Sequence, residues 1–180
     1  VSAYISDDGL YRYTLTRDLG LSNADVCCFV MLNPSTAGAT ANDPTIRRCM
    51  RFAGDWGYGL LSVVNLYAFR TTDPDYLWLQ HDPVGPENDE MLATAFYVSD
   101  LVIAAWGANA RRERVAEVMA LPFAPRWALG LTKRGVPRHP LYMRADCDLI
   151  PYGQALASTR TALPSPESGP AGGSVGEEQT

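Results

Sequence analysis

The chain has 180 residues, 47% of them hydrophobic and 19% charged, with a net charge of −5. That is enough for one domain with a real core. No apolar run is long enough to span a bilayer and no basic-then-apolar signal pattern opens the chain, so a soluble, cytoplasmic protein is expected, and the acidic balance argues against a protein that coats nucleic acid through bulk charge.

The charge is unevenly spread. Residues 71–100 hold seven acidic residues and no Lys or Arg, whereas residues 111–144 hold eight basic residues against Glu113 and Glu117. Of the 15 basic residues, 14 are arginine, whose planar fork suits phosphate better than a lysine point charge. The four cysteines (Cys27, Cys28, Cys49, Cys147) form no CxxC pair and read as core thiols. His81 and His139 have no metal-ligand spacing, so neither a metal nor another cofactor is expected.

In chain order, residues 1–25 read as an entry hairpin or edge strand, with Tyr11, Tyr13 and Leu15 alternating with Arg12, Thr14 and Thr16. Residues 26–32 are apolar throughout, as in a strand covered on both faces. They run into Asn33-Pro34-Ser35-Thr36, where Pro34 keeps Asn33 out of the helical region and aims its side chain away from the sheet. A small-residue loop follows. Asp43-Pro44 then opens a helix, Asp43 as N-cap and Pro44 at the first helical position, with Ile46, Cys49, Met50, Ala53 and Trp56 as its apolar stripe and Gly57 or Gly59 as its stop.

A second strand over 60–67 ends in Asn65-Leu66-Tyr67. Residues 68–86 form a long Pro- and Asp-rich connection, and connections of that length are usually functional or a local excursion. A helix over 87–99, a strand over 101–106, a helix over 110–121 capped by Asn109, and a short strand over 127–131 complete the pattern. Domain 1–157 is thus one α/β unit, and 158–180, rich in Pro, Gly, Ser and Glu, reads as a disordered tail.

Alternating strands and helices imply a parallel sheet covered on both faces. All strand carboxyl ends then lie on one edge, where open α/β sheets bind ligands. Four polar turns follow the four strands: Asn33-Pro34-Ser35, Asn65-Leu66-Tyr67, Trp106-Gly107-Ala108-Asn109 and Arg138-His139-Pro140-Leu141-Tyr142. Asparagines there can read the donors and acceptors of a base edge, Tyr67, Trp106 and Tyr142 can stack on a planar ring, and His139 can donate to a developing negative charge. There is no Walker sequence, no GxGxxG and no Gly-x-Ser-x-Gly. Taken singly, Asn33 also reads as a helix-capping residue, Asn65 as a strand-end turn residue and His139 as a satisfied loop histidine.

The motifs Met31-Leu32-Asn33-Pro34-Ser35-Thr36-Ala37, Asn42-Asp43-Pro44-Thr45-Ile46-Arg47-Arg48-Cys49, Trp56-Gly57-Tyr58-Gly59, Val64-Asn65-Leu66-Tyr67-Ala68, Asp82-Pro83-Val84-Gly85-Pro86-Glu87-Asn88-Asp89 and Arg138-His139-Pro140-Leu141-Tyr142 resemble the DUF1643 family over about residues 10–145. Their order also resembles the uracil-DNA glycosylase superfamily. There a Gly-x-x-Pro loop follows the first strand, an Asn ends a middle strand and a His-Pro-Ser loop follows the last. Asn33-Pro34 matches the first motif, Asn65 the base-reading Asn, and His139-Pro140 the His-Pro of the loop that enters DNA. Glycine is missing before Asn33-Pro34, and Leu141-Tyr142 stands where Ser-Pro or Ser-Gly is usual. The chain is also similar to bacterial anti-phage DNA glycosylases that remove glucosylated 5-hydroxymethylcytosine from phage DNA.

That resemblance implies a three-layer α/β/α fold with a central, mainly four-stranded parallel sheet. It also implies a monofunctional, metal-free DNA glycosylase that flips a modified base from phage DNA, hydrolyses its N-glycosidic bond and leaves an abasic site. Asn33 would place water and His139 would stabilise the departing base. Pro34, Ser35, Asn65, Tyr67 and Trp106 would line the base pocket, and Arg47, Arg134, Arg138 and Tyr142 would hold DNA. The Ala/Gly loop at 37–41 and the aromatic excursion at 68–86 would make room for a sugar. A non-catalytic module that binds modified DNA, and another nucleotide- or base-modifying enzyme, remain as alternatives.

Overall fold

The computed structural model describes residues 2–36 and 42–153. Its strands are β1 (Ser2–Ile5), β2 (Arg12–Asp18), β3 (Val26–Met31), β4 (Leu60–Asn65), β5 (Leu101–Ala104), β6 (Trp127–Ala128) and β7 (Ile150–Pro151). Its helices are α1 (Pro44–Asp55), α2 (Pro74–Leu77), α3 (Asn88–Val98) and α4 (Arg112–Met119), and a single 3-10 turn covers Pro140–Tyr142. The tail at 158–180 and the Ala/Gly loop at 37–41 lie outside the described residues.

An apolar segment such as β3 is stable only when flanked by strands and covered on both faces. It sits mid-sheet in the order β1-β2-β4-β3-β5-β6-β7, parallel to β4 on one side and β5 on the other. Successive side chains point to opposite faces. Cys27, Phe29 and Met31 therefore join Ile46, Cys49 and Phe52 of α1 on one face, while Cys28 and Val30 join Leu92 and Phe96 of α3 and Val118 of α4 on the other. The three strand and helix thiols are buried and free. Burial pushes the Cys28 thiol up to about 12 and raises Cys27 and Cys49 as well, so they act as packing groups.

The expected mainly four-stranded sheet is corrected to seven strands among the described residues. Beside the parallel set β4-β3-β5-β6, β1 and β2 add antiparallel on one side and β7 on the other. The short strand expected over 127–131 keeps only two residues, because Leu131 turns away to bridge Pro137. β7 went unforeseen because two residues carry no periodic signal. Asn109 does not cap the following helix. Gly107, at φ +77, opens a turn that runs on through Ala110, so α4 starts later, with Arg111 at the cap position and no side-chain cap bond.

α1 begins as its sequence requires. The Asp43 carboxylate accepts the Ile46 N–H at 2.8 Å and Pro44 occupies the first turn. Gly57, at φ +84, lets the chain leave it. The 68–86 connection is closed at its base by Ala68 N–H to Val84 O at 3.1 Å and Phe69 N–H to Pro83 O at 3.1 Å, and it carries α2 within it.

The carboxyl end of β4 is fastened from the helix side. Asn88, fully buried at the start of α3, donates its Nδ2 to the Asn65 and Leu66 carbonyls, both at 3.1 Å. Arg114 of α4 adds Nε to Leu66 O at 2.8 Å, and its terminal nitrogens pair with Asp89 and Glu117. Removing a buried donor strands its acceptors at a cost of about 1–3 kcal/mol each. Asn88→Ala is therefore expected to destabilise the fold by about 2–4 kcal/mol, seen as a lower urea midpoint at unchanged m. A change below about 0.5 kcal/mol would remove this fastening from the account.

Candidate functional site

The four parallel strands stand in the spatial order second, first, third, fourth. After β3 the chain leaves over one face through α1, and after β4 it returns over the other through α3. The carboxyl ends of β3 and β5 therefore flank a switch point, where open α/β sheets form a ligand crevice.

Hydrogen bonds fix the first wall. Asn33 is half-buried and donates Nδ2 to Thr71 O at 2.8 Å and to Pro34 O at 3.2 Å. Pro34 is buried, and its carbonyl accepts the Thr71 N–H at 3.0 Å. Ser35 donates Oγ to Asp43 Oδ2 at 3.1 Å. Asn65 is 2% exposed and lies opposite Met31 in the β3–β4 register. By alternation with Leu61 and Val63 it shares the α1 face.

His139 comes to this edge from the far end of the chain. Arg138 N–H bonds to Gly130 O at 2.8 Å, and a side chain placed on Gly107 would meet His139 Cβ at 3.6 Å. The imidazole caps the 3-10 turn, its Nδ1 accepting the Leu141 N–H at 3.3 Å. That bond assigns the neutral ring its proton on Nε2. Burial lowers the His139 pKa below its usual value, opposed by the carboxylate of Asp43. At neutral pH the site thus holds an uncharged ring with an N–H to donate, in the field of a carboxylate.

Asp43 is the group that sequence reasoning missed at this site, because its capping role accounted for it fully. One oxygen caps α1, the other accepts from Ser35, and the charge is felt at His139. A wall of arginine backs it. Arg17, 1% exposed, gives Nε to Asn42 Oδ1 at 2.7 Å. Arg12 is 4% exposed, and burial first, then Arg70, lowers its pKa to about 10 while Asp43 raises it. Arg70 holds Gly9 O at 2.8 Å and Thr36 O at 3.0 Å. Strict alternation assigned Arg12 to the face opposite Tyr13. Instead Ile5 pairs with Arg12 and Tyr4 with Thr14, so Tyr13 is an extra residue, a bulge that lets both side chains be buried.

The other expected residues divide. Tyr67 is 3% exposed and packs edge-on under Trp78 on the α3 side, its hydroxyl pushed up by burial, so it does not share the face of Asn65. Trp106, also buried there, packs on Tyr152. Arg47 is exposed and bonds to Asn42 O at 2.5 Å. Arg134 and Arg138 are exposed on the turn before His139, Arg138 with Nε on Leu131 O at 3.2 Å. Tyr142 is 79% exposed, its ring 5.9 Å from that of His139.

Residues 12–141 match the family model described as protein of unknown function DUF1643. The chain belongs to the DUF1643 family. Asn33, Asp43, Asn65 and His139 all fall within this matched DUF1643 segment. No curated protein and no solved structure matches the chain. Among the described residues no helix is long and apolar enough to cross a membrane, and no cluster of three His, Cys, Asp or Glu residues is poised to hold a metal ion.

A histidine whose folded pKa lies below its unfolded value of about 6.5 binds fewer protons folded than unfolded. Its contribution to stability is present above about pH 6.5 and fades as pH falls through the folded value. The wild type is therefore expected to lose more thermal stability than His139→Gln between pH 7.5 and 5.0. Parallel Tm profiles would mean that the ring is not buried in solution.

Proposed function

We propose that this protein is a DNA glycosylase that hydrolyses the N-glycosidic bond of a modified base and leaves an abasic site, acting on glucosylated 5-hydroxymethylcytosine in phage DNA as anti-phage defence. The observation that carries the reading is a neutral, N–H-donating His139 that stands beside Gly107 at the switch-point edge and feels the Asp43 carboxylate. Glycoside cleavage develops opposite charges a few ångströms apart, on the leaving base and on the sugar, and this pair offers a donor for one and a carboxylate for the other.

On this reading the flipped nucleotide enters between the Asn33 and Gly107 turns. The bond from C1′ to the base nitrogen breaks and the base leaves as an anion, its exocyclic O2 oxygen accepting a hydrogen bond from His139 Nε2. The sugar passes through an oxocarbenium-like state that the Asp43 carboxylate favours. Asn33 Oδ1 holds the attacking water. Its oxygen bonds to C1′ and its proton passes to the carboxylate and on to the departed base. Asn65 reads the base edge, beside Pro34 and Ser35. Arg47, Arg134, Arg138 and Tyr142 hold the strand. A uracil-DNA-glycosylase-like, three-layer arrangement suits the observed strand order and two-sided helix packing. The resemblance extends to the bacteriophage replication inhibition DNA glycosylase.

The test is abasic-site formation, read by alkaline cleavage, on unmodified, uracil-containing and glucosyl-hydroxymethylcytosine-containing DNA without added metal. Breaks confined to the glucosylated DNA are expected, with losses of about 100- to 1000-fold for His139→Ala and Asp43→Ala. Breaks in the uracil DNA would mean ordinary base repair. No breaks with DNA binding retained would leave a non-catalytic binding module, and activity on free nucleosides alone another nucleotide enzyme.

A further inference from the structure

Beside His139, on the same sheet edge, lies a cleft of which the reading above uses only Arg134. One part, about 540 Å³, is walled by Arg112 on the first turn of α4 and by Thr132, Lys133 and Arg134 of the facing turn. An adjoining, more open part, about 220 Å³, shares Ala110, Arg112 and Val136 with it and continues onto Trp106, Ala116 and Tyr152. The larger volume falls in the range of small-ligand pockets. Three cationic side chains ring the mouth, with Glu113 as the one carboxylate on the same helical turn. The adjoining part is mostly apolar and aromatic.

We infer that this cleft binds one nucleotide of single-stranded or locally melted DNA next to the flipped one, the phosphates on Arg112, Lys133 and Arg134 and the base in the slot beside Trp106 and Tyr152. The inference rests on the reading of DNA as the substrate. Two chemistries meet here in the order a nucleotide needs them. A charged mouth without an apolar slot would suit any polyanion, and an apolar slot without charge would suit a neutral ligand. Unpaired strands are held by this combination of basic track and ring-accepting surface. The position fits as well. The turn that carries Lys133 and Arg134 is tied back by Thr132 N–H to Val136 O at 2.9 Å and leads, within five residues of Arg134, to His139. A strand presenting a base to His139 therefore has its neighbouring phosphates over this mouth. In single-stranded or melted DNA the nucleotide beside the flipped one is also unpaired, and a slot that captures it favours the flipped state.

The experiment measures anisotropy of a fluorescein-labelled 12-nucleotide single strand against the full chain over a range of salt. Three proteins are compared: wild type, the triple variant Arg112→Gln/Lys133→Gln/Arg134→Gln, and Ala116→Trp, which fills the slot from an exposed helix position. The triple variant is expected to bind at least 10-fold more weakly, with the log–log salt slope reduced by about 2, or roughly 0.7 for each phosphate left without its cation. Ala116→Trp is expected to weaken binding with the slope unchanged, and to leave heparin binding as in the wild type. Wild-type affinity and slope in the triple variant would overturn the inference, as would an inert Ala116→Trp, which would reduce the site to bulk charge. Abasic-site formation by the wild type separates the two readings. Cleft-dependent binding without abasic sites sinks the glycosylase and keeps the cleft, whereas abasic sites with cleft-independent binding do the reverse.

Discussion

The structure depends on how β3 ends. A central strand presents backbone groups to both neighbours, and none can be left unpaired where water is excluded. Pairing continues past the strand itself: Ala105 N–H takes Val30 O at 2.9 Å, Leu66 N–H takes Met31 O at 2.9 Å and Tyr67 N–H takes Leu32 O at 3.0 Å. Thr71 N–H takes Pro34 O at 3.0 Å. The Asn-Pro turn is therefore held against the chain that leaves β4 by a run of main-chain bonds. Asn33 and Pro34 inherit their positions from those bonds, and Asn33 adds its own amide to them.

Around that frame the polar groups are set by burial and charge together. His139 is kept neutral by partial burial although a carboxylate lies close by, so desolvation outweighs attraction. Asp43 is flanked by helix N–H groups and a serine on one side and by the arginine-bearing β2 on the other. Burying Arg12 and Arg17 costs solvation, and Arg17 is held by the Asn42 side chain and the Thr16 carbonyl. The result is an electrostatically asymmetric edge: a neutral donor on one side, a carboxylate in the middle and buried cations behind.

Much of this was legible in the sequence wherever a local rule was strong. The unbroken apolar run of β3, the Asp43-Pro44 start of α1 and the Gly57 stop each carry a one-residue physical reason, and each stands where it was expected. The shared edge followed from strand–helix alternation. What was not legible depended on contacts remote in sequence. The bulge at Tyr13 that buries Arg12 beside it is set by the pairing of β1 with β2, which no period-two pattern reveals. Asn109 looked like a cap because it precedes a helical pattern, but the Gly107 turn spends extra residues. Tyr67 looked like a base stacker because it follows Asn65, yet β4 stops at Asn65, alternation lapses there, and the α2 excursion folds Tyr67 beneath Trp78. Asp43 was legible as a cap and not as a second ligand for Ser35, since the two roles belong to different oxygens of one carboxylate.

The excursion after β4 has a consequence for how such a protein diversifies. Its two ends are joined by main-chain bonds at Ala68–Val84 and Phe69–Pro83, and α2 lies wholly within it. A loop closed at its base is a cassette. Doubling the length of such a loop costs only about 0.6 kcal/mol of closure entropy, far less than the stability of a domain. Relatives can lengthen, shorten or exchange residues 70–82 without re-registering a single strand, so long as a residue equivalent to Thr71 still meets the Pro34 carbonyl. New specificities can therefore be grafted onto this sheet one loop at a time.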